Sequence, residues 1–136
     1  MTAKEYLISA LDLERLICAK RRLLKKLQAQ STGLSSVRMG DRVRSSNIGT
    51  MAVIDKIVDL ESEILAKEND LVEKQKEIMH KIQLIYHPKL TAVLIDKYIN
   101  GMSIEQIAEA MGVSVRTACV WHGQALQLFR EETGMK

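Results

Sequence analysis

Apolar residues recur at alternating steps of three and four from the start of the chain: Tyr6, Ala10, Leu13, Ile17, Leu24 and Leu27, with Lys20 the polar interruption on that line. In front of them Thr2-Ala3-Lys4-Glu5 has the form of a capping box, in which a hydroxyl and a carboxylate satisfy each other's backbone N–H groups. The pattern predicts an amphipathic helix to about Gln30. Over residues 31–49 the periodicity is lost and Ser, Gly, Asn and Arg take over, which predicts a long, mobile, basic loop. From Met51 to His87 the doublets Ile57-Val58, Ile64-Leu65, Leu71-Val72, Ile78-Met79 and Ile85-Tyr86 return every seven residues, with Ile54 and Ile82 beside them. A heptad stripe of that length predicts a second long helix in coiled-coil-like packing.

Neither helix can bury its stripe alone, so the two are expected to fold back as an antiparallel hairpin. The basic run Lys20-Arg21-Arg22 and Lys25-Lys26 would then lie near Asp55, Asp59, Glu61 and Glu63. The stripe is wider than one partner helix covers, which adds self-association of the hairpin as an expectation. Pro88 disfavours helix at His87, so the long helix should end or kink there and a compact C-terminal unit begin. Two domains follow: residues 1–87, a helical hairpin with the basic loop at about 31–49, and residues 88–136. Within the second, residues 89–100 read as a helix carrying Leu90, Leu94, Ile95 and Tyr98 on one side, closed by Asn100-Gly101. The fold class is all-α.

The segment from Ser103 to Trp121 has helix-turn-helix spacing. Ser103 and Gln106 form a capping box, Ile104, Ile107 and Met111 face inward, and Ala108 is small where two helices cross. Gly112 suits the left-handed residue that ends the first helix, Val113 plugs the turn, and Ser114 caps the second helix. On that second helix Ala118, Trp121, His122, Ala125, Leu128 and Phe129 share one face. The opposite side carries the candidate DNA-binding residues Ser114, Val115, Arg116, Thr117, Val120, Gln124 and Gln127. An arginine can bond a guanine through two N–H groups, a glutamine can do the same for an adenine, and a valine can meet a thymine methyl group.

Composition agrees with a helical protein: of 136 residues one is Pro and seven are Gly, and the hydrophobic share is 46%. The net charge of +3 is unevenly spread. Residues 1–50 hold ten Lys and Arg against four acids, residues 51–86 five against eight, and residues 87–136 five against five. The basic end is therefore not the helix-turn-helix end, and Arg38, Arg42 and Arg44 of the loop are the candidate phosphate contacts. Lys20 to Lys26 read instead as a solvated face balanced by the acidic second helix.

Uncharged stretches fall short of the roughly 18 residues that a membrane span needs, and Lys4-Glu5 follows the start where a signal peptide would be apolar. A cytoplasmic location is expected, with Cys18 and Cys119 as reduced thiols. His80, His87 and His122 are not paired at i,i+3 or i,i+4, and no acidic or thiol cluster completes a metal site, so neither metal nor cofactor is expected. No phosphate loop, nucleophile elbow or catalytic carboxylate pair is present, and the expectation is a binding protein without enzymatic activity.

Residues 103–130, including Ala125-Leu126 late in the second helix, resemble region four of bacterial sigma factors. With Met-Thr-Ala-Lys-Glu-Tyr at the start and a long helical middle, the whole arrangement is similar to sigma-factor-like phage regulators of the ArpU and RinA type. The resemblance implies a phage or prophage protein that binds double-stranded DNA near a promoter, regulates late, packaging-related genes, and touches host RNA polymerase. It departs from the sigma pattern in carrying one arginine, Arg116, where several basic residues usually face the groove. Two other classes fit the same features: a small-terminase-like assembly protein that delivers phage DNA to a packaging motor, and a protein-binding module that grips RNA polymerase without DNA.

Overall fold

The computed structural model describes the backbone of residues 1–36 and 43–136 and the side chains of residues 1–31 and 51–136. Among the described residues there are five helices and no strand: α1 (Ala3–Ser36), α2 (Val43–Gln83), α3 (Pro88–Tyr98), α4 (Ile104–Met111) and α5 (Val115–Thr133). The fold is all-α, an antiparallel helical hairpin followed by a helix-turn-helix. The chain divides into two compact units, Glu14–Asp70 and Met1–Leu13 with Leu71–Lys136.

In the unit Glu14–Asp70, α1 and α2 bury Ile17, Leu60 and Ile64. Two ion pairs flank that seam: Lys20 Nζ lies 2.6 Å from Glu63 Oε1, and Arg21 bonds Glu68. The basic run of α1 thus meets the acidic half of α2, though only Lys20 finds an acid from the expected group. Burial separates the heptad doublets. Ile57 is half-buried and Ile64 buried, whereas Val58 and Leu65 are exposed.

The loop expected over residues 31–49 is a correction. Residues 31–36 continue α1 and residues 43–49 belong to α2, while the expectation for residues 37–42 lies outside the described residues. Composition is a weak guide here, because Ser and Asn cost only about 0.5 kcal/mol each in a helix and Gly about 1 kcal/mol. Extending an existing helix also avoids the cost of nucleating a new one.

The other unit is built around one core. The first three turns of α1 supply Ala3, Tyr6, Leu7 and Ala10, and the end of α2 supplies Ile78 and Ile82, with Ile85 just beyond it. They meet Leu90, Leu94 and Tyr98 of α3 and Ala125, Leu126 and Phe129 of α5. The Tyr6 and Phe129 rings stack with centroids 6.4 Å apart, and Lys81 Nζ sits 4.5 Å from the Tyr6 ring. The Ala3 N–H donates to the Lys136 carbonyl at 2.8 Å, tying the first turn of α1 to the chain's last residue. The expected capping box forms: Thr2 N–H donates to Glu5 Oε2 at 2.7 Å and Glu5 N–H to Thr2 Oγ1 at 3.2 Å. The division drawn between residues 87 and 88 therefore runs through a continuous core.

Helix α2 ends at Gln83, four residues short of the expected His87. The N–H groups of Leu84, Ile85 and Tyr86 donate to carbonyls three residues back, a tightening that unwinds the helix. Tyr86 then turns the chain in the left-handed region at φ 48°. His87 is extended, as the residue before a proline must be, and its Nδ1 accepts the Leu90 N–H at 3.3 Å. Helix α3 starts at Pro88 rather than Lys89, because the first helical position needs no N–H donor.

Candidate nucleic-acid interface

Each local device expected in the helix-turn-helix is present. Ser103 Oγ accepts the Gln106 N–H at 3.2 Å, and Ser103 N–H donates to Gln106 Oε1 at 2.9 Å. Gly112 ends α4 at φ 67°, ψ 34°, and an added Cβ there would meet nothing, so backbone conformation alone calls for glycine. The Val113 N–H donates to the Ala108 carbonyl at 3.0 Å with its side chain half-buried in the turn. Ser114 Oγ accepts the Thr117 N–H at 3.1 Å and starts α5. Ile107, Ala108 and Ala118 are buried in this turn and crossing.

Helix α5 is fixed from a second direction by α3. Tyr98 Oη and His122 Nε2 are 2.7 Å apart and their rings are tilted at 34°. Burial raises the Tyr98 hydroxyl to about 12, so it stays protonated. Burial, and then the charges of Lys97 and Lys4, lower His122. A folded-state value below the unfolded one means that the unfolded chain binds the proton more readily. The stabilisation is full above the ordinary histidine value of about 6.5 and is lost as pH falls from there towards the lowered value. The urea midpoint should therefore drop between pH 7.5 and pH 5, and His122→Gln should flatten that dependence. Equal slopes for both proteins would exclude His122 as its source.

Opposite this packed side, Arg116, Val120, Gly123 and Gln127 follow one another at four-, three- and four-residue steps along one exposed line of α5. Ser114, Val115 and Gln124 are also exposed, whereas Thr117 is half-buried and its Oγ1 accepts from the Ser114 hydroxyl at 2.9 Å. Gln127 donates to Glu131 Oε1 at 3.1 Å, which occupies one of its two amide donors. Cys119 is exposed on the same helix. An added Cβ at Gly123 would touch nothing within 4 Å, so no neighbouring side chain requires glycine at that helical position.

Residues 92–134 match a homeodomain-like domain. The match spans most of α3 and all of α4 and α5, so this chain carries a helix-turn-helix of the DNA-binding kind in its C-terminal part. No curated protein and no solved structure matches the chain. Just before the matched residues, the sequence pattern overlooked Lys89, whose Nζ stands 4.2 Å from the Trp121 ring centroid. No periodicity links an α3 lysine to an α5 tryptophan, so only the packing shows a cation beside α5. Among the loop arginines, Arg38 and Arg42 lie outside the described residues, and Arg44 belongs to α2 with its side chain outside them. Among the described residues no group of three His, Cys, Asp or Glu could hold a metal ion, and no helix is long and apolar enough to cross a membrane.

Proposed function

We propose that this chain is a sequence-specific transcription regulator that lays α5 in the major groove of promoter DNA. The observation that carries this reading is the exposed line Arg116, Val120, Gly123, Gln127, which starts at a capped helix N-terminus on the face opposite the core. In helix-turn-helix proteins the N-terminal part of the second helix meets base edges. On this reading Ser114 and Thr117 bond the phosphate at the groove edge, Arg116 a guanine, Val120 a thymine methyl group, and Gln124 and Gln127 further bases. Val115 adds an apolar contact at the rim.

Affinity must come from elsewhere, since the C-terminal fifty residues have no net charge. Lys89 beside Trp121 and the arginines Arg38, Arg42 and Arg44 are the phosphate contacts of this reading. The resemblance of residues 103–130 to sigma region four supports a phage or prophage regulator of late genes that works at a promoter with host RNA polymerase. A packaging assembly protein is the second reading, favoured by the exposed apolar residues of the hairpin. Titration of the full chain against promoter fragments from its own genome tests the proposal. One fragment should be preferred, with affinity falling as salt rises. Absence of any binding at low salt would overturn it and leave a protein-binding module.

A further inference from the structure

The unit Glu14–Asp70 carries two apolar rows that remain exposed among its described residues. Leu16 and Leu23 on α1 are 44% and 48% exposed, and Val58 and Leu65 on α2 are 53% and 60% exposed. Each pair is seven residues apart, so each lies within about 20° of one line along its helix. Ile54 and Met51 continue the α2 row. Seven-residue rows are the spacing at which one helix accepts another along its length.

The two rows lie on opposite flanks of the hairpin, and the ion pairs fix this. Lys20 is four residues after Leu16 and three before Leu23, so the α1 row shares its flank with Lys20, which meets Glu63. Arg21 is five after Leu16 and two before Leu23, which places it across the helix. On α2, Glu68 is three residues after Leu65, so the α2 row shares its flank with the Glu68–Arg21 pair. Glu63, five after Val58 and two before Leu65, is on the far side.

Charge separates the rows as well. Exposed Lys26, three residues after Leu23, accompanies the α1 row with exposed Arg22 about a quarter-turn off it, and exposed Asp55 and Glu61, each three residues from Val58, accompany the α2 row. Two α2 rows brought together would set acid against acid, and two α1 rows base against base. An α1 row against an α2 row pairs opposite charges around the leucines and valine.

We infer that the α1 row of one molecule docks on the α2 row of a second copy of this chain. Because the rows are on opposite flanks, each contact leaves one α1 row and one α2 row unused. Such a heterologous contact cannot end at a dimer and continues until it closes into a ring or runs on as a filament. The inference does not depend on DNA binding.

Two variants used together test it by sedimentation. One carries Leu16→Asp with Leu23→Asp and keeps only its α2 row; the other carries Val58→Asp with Leu65→Asp and keeps only its α1 row. Wild-type protein should assemble beyond a dimer, each variant alone should be monomeric, and a mixture of the two should stop at a heterodimer. An α1 variant that still assembles, a mixture that stays monomeric, or a wild type that is monomeric at high micromolar concentration would each overturn the inference. A charge pair guards against misfolding of the aspartate variants, which circular dichroism would reveal. Arg22→Glu with Lys26→Glu, and separately Asp55→Lys with Glu61→Lys, should each weaken assembly alone and regain it on mixing; failure to regain it would also overturn the inference.

Discussion

A fragment cut to residues 87–136 will lack a cooperative unfolding transition at 25 °C, although it contains the entire helix-turn-helix. The cut removes Ala3, Tyr6, Leu7, Ala10, Ile78, Ile82 and Ile85 from the core that holds α3 and α5. Leu7, Ile78 and Ile82 are fully buried, and burial of one such side chain stabilises by about 1.5–3 kcal/mol. Three of them together approach the whole stability of a small domain, about 5–15 kcal/mol. Phe129 would also lose the Tyr6 ring that stacks on it. Urea unfolding followed by circular dichroism checks the result, with Leu7→Ala in the full chain as a milder form that should cost about 2–5 kcal/mol. A fragment with the full chain's midpoint would mean that the hairpin ends contribute nothing to the helix-turn-helix. The same fragment should bind DNA weakly, and its folding must be measured first to separate a lost core from lost arginines.

Arg116→Ala should cost about 1–3 kcal/mol of affinity on the preferred site and relax preference at one base pair, while binding to unrelated DNA stays nearly the same. The guanidinium lies in the first turn of α5 on its exposed line, where the proposed docking in the major groove would bring it to a base edge rather than the backbone. A phosphate contact would act evenly on all sequences and lower the salt slope by about one. That pattern would move Arg116 out of the base-reading set. Gly123→Ala, seven residues further along the same line, should show opposite signs in two measurements. Stability should rise by about 1 kcal/mol, because alanine is the better helix former and its Cβ meets nothing. Affinity should fall if DNA approaches the helix closely there; unchanged affinity would reduce the glycine to a tolerated residue.

Features encoded within a few residues of one another were legible in the sequence. The capping boxes at Thr2 and Ser103, the left-handed Gly112, the cap at Ser114 and the buried face of α5 depend on offsets of three, four and seven, which an isolated helix already imposes. The start of α3 at Pro88 and the end of α2 at Gln83 were displaced from expectation by local backbone choices. Proline fits the first helical position, and the last turn of α2 tightens before Tyr86. The continuation of α1 through residues 31–36 escaped the reading for a different reason. Small polar residues reduce helix propensity by amounts that a long helix absorbs.

By itself the sequence determined the helix-turn-helix, the caps at Thr2, Ser103 and Ser114 and most of the exposed residues on α5, since each follows from periodicity and from residue types that fit one backbone conformation. Tertiary structure decided which apolar residues of each doublet are covered and which remain exposed. A heptad doublet presents two neighbouring lines, and only the position of the partner helix selects between Ile64 and Leu65. It also decided that Tyr6 and Leu7 belong to the same core as Phe129, that His122 meets Tyr98, and that Lys89 stands by Trp121. Those contacts join residues 24 or more positions apart, where no period links the partners and only the packing of whole helices brings them together.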